Sequence, residues 1–237
     1  GAGGVIVPHE TFMPLAQDIC ERHGILVIAD EVITGFGRTG DWSGSRHWGV
    51  KPDMMSCAKG ITSAYFPVGA ALLNDKVADV FESSDADGSI FHGYTYSGHP
   101  VAAAVALENL RILEEENVLD HVRTVAIPAL HEMWHGLGDH PLVGETTIVG
   151  MMGSLALTPH KDSRAKFAAE AGTAGFMTRE RCFANNLVMR HVYDRMIISP
   201  PLVITPEEIA VLGQRARIAL DEAYAQLKEH DLLKPAA

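Results

Sequence analysis

The residues of this chain that could do chemistry are one carboxylate and one amine at a fixed spacing. Asp30 follows the unbroken apolar run 25–29, and Lys59 follows the apolar run 54–58, so that 59 − 30 = 29 residues separate them. A lysine in such a place is partly desolvated and can serve as an amine nucleophile. The carboxylate can be its structural ion-pair partner, or it can hold a proton on a bound ring. Val32 bears on that choice. It lies two residues past Asp30, and on an extended backbone both side chains project to the same side. One can then hold a ring nitrogen while the other packs on the ring face. A lysine that takes up a carbonyl, an acid on a pyridinium nitrogen and an apolar wall are what pyridoxal phosphate requires.

Those groups need elements to carry them. The run ending in Asp30 reads as a strand buried on both faces of a parallel sheet, whose carboxyl edge is where α/β proteins bind ligands. Residues 54–58 form a second short buried strand, closed by Lys59 and Gly60. Upstream, residues 5–7 read as a strand and residues 10–23 as an amphipathic helix. In that helix Phe12, Leu15, Ala16, Ile19 and Cys20 recur at helical spacing and Gly24 is the stop. Strand, helix and strand together imply a right-handed βαβ unit. Residues 68–73 read as another strand, and Pro100 opens an alanine-rich helix over 101–115. The acidic stretch Glu114 to Glu116 sets the expected domain boundary near residue 116.

Beyond it, residues 118–137 carry an apolar stripe of Leu119, Val122, Ala126, Leu130, Met133 and Leu137. Residues 143–157, 187–189 and 196–198 read as strands of a small antiparallel sheet, with Arg190 at the end of the second stretch. The last helix starts at a capping box, with Thr205 as N-cap, Pro206 first and Glu208 third. The expected fold class is α/β. Residues 1–116 would be part of a large domain with a mainly parallel sheet, and residues 117–237 a small α+β domain.

The segment LVIADEVITGFGRTG followed by PDMMSCAKG resembles the class III aminotransferases, the ω-transaminase branch of the fold-type-I pyridoxal phosphate enzymes, and the likeness runs over essentially all 237 residues. The resemblance implies that Lys59 carries the cofactor as a Schiff base, that Asp30 pairs with its pyridine nitrogen and that Val32 packs on its ring. HGYTYSGHP is similar to the segment that reaches a neighbouring subunit's cofactor phosphate. This implies a homodimer with Tyr94 and Thr95 at a shared site. Taken alone, Thr95 reads as an ordinary capping threonine. NNLVMRHVYDRMIISPPLVIT resembles the segment whose arginine grips a substrate carboxylate, which implies that role for Arg190. Taken alone, Arg190 reads as a surface arginine. The implied reaction moves an amino group from an amine or ω-amino acid to a keto acid such as pyruvate, by a ping-pong mechanism. In the family, the point where this chain begins lies well inside the large domain. The chain is therefore expected to be a carboxyl-terminal part, with the phosphate cup and the second ring-stacking residue upstream. An inactive fragment lacking that half of the site stays open.

Two further motifs compete with this reading. GFGRTG matches the dinucleotide fingerprint at Gly35, Gly37 and Gly40, but the residues after it have no helical period to open the required helix. A glycine-permitted loop near the site mouth is expected instead, with Trp42 either a pocket wall or plain packing. HEMWH, residues 131–135, matches the zinc-peptidase pattern. On a helix its two histidines lie about 120° and 160° from the apolar stripe, which points to a solvated face. His140 is the one nearby candidate for a third ligand. A zinc peptidase through His131 and His135 stays the distant alternative, and no metal is expected.

Composition bounds the rest. Net charge is −11, which disfavours nucleic acid and anionic membrane surfaces as partners. Cys20, Cys57 and Cys182 are odd in number and far apart, which points to a reducing, cytoplasmic setting. No apolar run approaches the roughly 18 residues of a membrane span.

Overall fold

A computed structural model describes residues 2–83 and 91–236. The chain divides into two compact units, Pro8–Leu119 and Gly1–Val7 with Asp120–Ala237.

The first unit runs α1 (Phe12–Arg22), β1 (Ile28–Asp30), α2 (Gly44–His47), β2 (Met54–Cys57), a 3-10 turn over Lys59–Thr62, β3 (Ala70–Leu73), α3 (Asp75–Glu82) and α4 (Pro100–Glu115). Its sheet has the order β1-β2-β3. β1 pairs with β2 in parallel, with Asp30 opposite Ser56, and β3 runs antiparallel to β2, with Ala70 opposite Cys57. One parallel and one antiparallel pairing thus stand where a mainly parallel sheet was expected.

Two local expectations are corrected here. Residues 5–7 form no strand; Val5 has φ 56°, a left-handed conformation that takes a β-branched residue out of extended structure. The run 25–29 is not buried on both faces either. Ile28 is 65% exposed and Ile25 52%. β1 is an edge strand, and within this unit no described element covers that face. The amphipathic pattern of α1 does form a helix, but its Phe12, Leu15 and Ile19 also stay exposed. Periodicity selects the element, whereas burial needs a partner surface.

The units divide inside α5 (Val118–His121). The second unit continues through a π turn over Val122–Ala126, α6 (Ile127–Gly136), β4 (Val143–Val149), β5 (Met152–Leu157), α7 (Thr173–Ala184), β6 (Arg190–Val192), β7 (Arg195–Ile198) and α8 (Pro206–Glu229). The π turn precedes Pro128, which has no N–H to give to a regular helix ladder. The sheet order is β4-β5-β7-β6, antiparallel throughout. α8 starts with both halves of its capping box: the Glu208 N–H donates to Thr205 Oγ1 at 3.3 Å and the Thr205 N–H to Glu208 Oε2 at 2.9 Å. Its stripe Ile209, Ala216, Ala219, Ala223 and Leu227 is buried. Trp134, absent from the expected stripe, lies at the centre of the core. Its indole N–H donates to the carbonyls of Thr147 (3.2 Å) and Ser154 (3.3 Å), and a Cβ on Gly153 would come within 2.7 Å of its ring.

Candidate active site

The parallel pairing of β1 and β2 brings Asp30 and Lys59 to one sheet edge. Asp30 is the last residue of β1 and lies opposite Ser56; Lys59 follows 59 − 56 = 3 residues later, past the end of β2. Ala58 is extended, and the chain then turns sharply at Lys59, whose φ is 46°. A lysine in the left-handed region costs about 1 kcal/mol or more, and such strain collects where side-chain direction matters.

The Asp30 carboxylate is half committed. Its Oδ1 accepts the N–H of Val32 at 3.1 Å, and its other oxygen has no partner among the described residues. This bond corrects the expected relation of the two residues: the chain turns directly after Asp30, so Val32 is not two places along an extended strand. Neither Asp30 nor Lys59 joins an ion pair among the described residues, so they are not each other's structural salt bridge. Lys59 is also exposed, not partly buried as expected. Within this unit no described element closes over it.

A residue that sequence reasoning passed over builds the adjoining loop. Glu31 is 2% exposed. Its Oε2 accepts the Thr34 hydroxyl at 2.5 Å and the Gly44 N–H at 2.7 Å; its Oε1 accepts the Ser45 N–H at 2.6 Å and the Ser45 hydroxyl. Asp30 and Glu31 are consecutive, so one carboxylate faces out and the next faces in. An inward acid must find donors, which was the available signal; that two of the donor residues lie 13 and 14 positions ahead was not.

This carboxylate occupies the start of α2, and GFGRTG itself opens no helix. The loop closes on itself through Phe36 N–H to Trp42 O (2.8 Å) and Gly37 N–H to Asp41 O (3.0 Å). Gly37 and Gly40 adopt φ 92° and 86°. Trp42 is half-buried, and its backbone helps to close the loop. The loop packs on the residue after the lysine, since a Cβ on Gly60 would lie 3.1 Å from Phe36 Cβ.

Thr95 begins the turn 95–98, closed by Ser97 N–H to Tyr94 O (2.9 Å) and Tyr94 N–H to Ser97 Oγ (2.9 Å). Tyr94 and Thr95 are both exposed. The N-cap of α4 is His99, which accepts the Val101 N–H, so Thr95 is not a capping residue. Among the described residues no hydrogen bond joins Thr95 to Asp30 or Lys59.

In the second unit, Arg190 opens β6, whereas it was expected where a strand over 187–189 ends; residues 187–189 are not strand. Arg190 is exposed and in no ion pair among the described residues, while its neighbour Met189 is in the core. The helix face bearing His131 and His135 is not simply solvated. His131 Nε2 lies 2.9 Å from the Gly150 carbonyl, and burial pushes its imidazole toward the neutral form. His135 Nδ1 meets the Thr146 hydroxyl at 3.0 Å. His140 is buried between the Leu142 N–H (3.1 Å) and Asp221 (3.2 Å), so it is spent on the fold. Among the described residues no group of three metal-binding side chains comes together.

The family model described as "Aminotransferase class-III" matches residues 1–219. The chain is 50% identical over 225 residues to the putrescine–pyruvate aminotransferase of Pseudomonas aeruginosa, covering 95% of this chain and 48% of that protein. It is 40% identical over 233 residues to the mitochondrial gamma-aminobutyrate transaminase 1 of Oryza sativa subsp. indica, covering 96% and 45%. Among solved structures, the omega transaminase of Pseudomonas jessenii in complex with PMP matches at 40% identity and a TM-score of 0.91, covering 96% of this chain and 50% of that one. The chain thus spans about half the length of the relatives it matches. Their fold is that of the fold-type-I transaminases, mixed α/β. By sequence and by fold the chain belongs to the class III aminotransferases, a pyridoxal-phosphate-dependent family.

Proposed function

We propose that the enzyme to which this chain belongs moves an amino group from an amine or ω-amino acid to a keto acid such as pyruvate. The observation that carries the reading is the placement of an amine, Lys59, and a carboxylate, Asp30, unpaired and half-free among the described residues, at the carboxyl edge of adjacent parallel strands. That pair fits pyridoxal phosphate, which asks for one amine and one ring-nitrogen acceptor. When bound, the cofactor supplies an aldehyde that takes up amines and a pyridinium ring that draws electrons from the adjacent C–H bond. Lys59 Nζ would hold the cofactor and, freed of it, would take the proton from the substrate carbon as base and deliver it to the cofactor carbon as acid. Asp30 would keep the ring nitrogen protonated through the oxygen that has no partner among the described residues. Val32, which the turn after Asp30 carries, would pack on the ring, and Trp42 would wall the substrate side. A reducing, cytoplasmic setting suits the three free cysteines, and among the described residues no helix is long and apolar enough to cross a membrane.

The keto acid brings a carboxylate, and Arg190, in no ion pair among the described residues, is assigned to it. Replacing it should separate the two half-reactions. In Arg190→Ala, loss of a charged hydrogen-bonded contact of roughly 1.5–3 kcal/mol slows the half-reaction with pyruvate by about 10- to 150-fold in kcat/KM. The half-reaction with a carboxylate-free diamine, followed in the same stopped-flow absorbance traces, changes by less than about threefold. Equal slowing of both would make Arg190 structural and remove the assignment.

Thr95, exposed and without a side-chain partner among the described residues, is assigned with Tyr94 to the cofactor phosphate of a second subunit in a homodimer. A co-expressed heterodimer tests this, with Lys59→Ala in one subunit and Thr95→Ala in the other. One site then carries both lesions and the other none, so about half of wild-type activity remains. Activity near half that of the Thr95→Ala homodimer would instead place the threonine in its own subunit's site.

A further inference from the structure

We infer that Asn109 is a positioning residue for Lys59, holding the turn from which the lysine side chain departs; the inference deepens the transaminase reading and rests on it. Asn109 lies on α4, 49 residues from Gly60 in sequence. Its Nδ2 donates to the carbonyls of Gly60 (2.9 Å) and Ile61 (3.2 Å), and its Oδ1 accepts the Ser63 hydroxyl at 2.7 Å. One amide side chain therefore spends both N–H groups and its carbonyl on the stretch that directly follows the lysine.

That stretch needs holding. Lys59, Ser63 and Ala64 have φ of 46°, 47° and 64°, three non-glycine residues in the left-handed region within six positions. Such backbone persists only where its surroundings over-determine it. On one side the Glu31-pinned loop does so, by pressing Phe36 on Gly60. On the other side Asn109 does so, from a 16-residue helix that gives it a rigid base. Lys59 has no side-chain hydrogen bond of its own among the described residues, so the backbone at its root sets where its amine points. A proton transfer between two carbons depends steeply on that placement.

Asparagine is the side chain this geometry asks for. Aspartate would set a carboxylate against two carbonyl oxygens, and alanine would leave both to water. In Asn109→Ala of the full-length enzyme, kcat should fall about 10- to 100-fold while KM for the amine stays within about threefold. In the cofactor-free enzyme, amide exchange of residues 60–64 should accelerate by at least about tenfold with the rest of the protein unchanged. Ser63→Ala, which removes only the bond through Oδ1, should show a smaller effect on both. Unchanged exchange at residues 60–64 overturns the inference. So does faster exchange with wild-type kcat, which would make the brace purely structural. A fall of kcat together with a raised KM and a lowered melting temperature also overturns it, as general damage. Lys59→Ala in the same assay separates the two readings: if that variant stays active, the transaminase assignment of Lys59 fails, while the exchange data still report on the brace.

Discussion

Replacing Lys59 with alanine should abolish the proposed transamination, with turnover of the full-length enzyme falling by more than about a thousandfold. On the proposed reading the variant would lose both the amine that holds the cofactor and the base that moves the substrate proton, and each role alone is worth orders of magnitude. The fold should survive. Lys59 is exposed, makes no ion pair among the described residues, and already sits at φ 46°, a conformation no harder for alanine than for lysine. The measurement is steady-state turnover beside the cofactor's visible absorbance and a thermal melt. Retention of more than about a thousandth of the rate, with the absorbance band intact, would take the cofactor away from Lys59. The structure adds a control: Lys51, which precedes β2, is exposed and its alanine variant should turn over normally.

The second large effect is expected at Asp30. An asparagine in its place would keep the turn, because an amide oxygen can still accept the Val32 N–H that Oδ1 now accepts. What changes is the free oxygen. On the proposed reading it would become an uncharged amide position that could not hold a proton on the ring nitrogen, and the ring would then no longer draw electrons. Asp30→Asn should therefore bind cofactor within about tenfold of wild type and lose about 10²- to 10⁴-fold in kcat. Titration of the apoenzyme with pyridoxal phosphate gives the first number and single-turnover kinetics the second. Near-normal turnover would remove Asp30 from the ring nitrogen. Loss of cofactor binding in step with activity would mean that the substitution had disturbed the turn instead.

These expectations trace back to the sequence unevenly. The acid and lysine ending two apolar runs, the capping box of α8 and the stripe of α1 were legible because each depends on neighbours within a few residues. Helical period and strand alternation are local properties, and so is a cap whose two halves lie three residues apart. Family likeness, carried by a long contiguous motif, was legible for the same reason.

Tertiary structure decided what depends on distant partners. Nothing local announces α7: its apolar period is weak, and its first amides, Gly172 and Gly175, are capped by Asp194 from the β6–β7 turn, 22 and 19 residues away. Glu31 finds its donors Gly44 and Ser45 13 and 14 residues ahead, and Asn109 meets the turn after Lys59 across 49. The direction of β3, the burial of Trp134 and the exposure of β1 are likewise set by what packs beside them. A sequence by itself determines which faces are apolar and which ends are capped, because those energies are local. Which buried polar group meets which donor, and which apolar face is covered, is decided only when the chain closes on itself, because a hydrogen bond or a packed face requires two surfaces to meet.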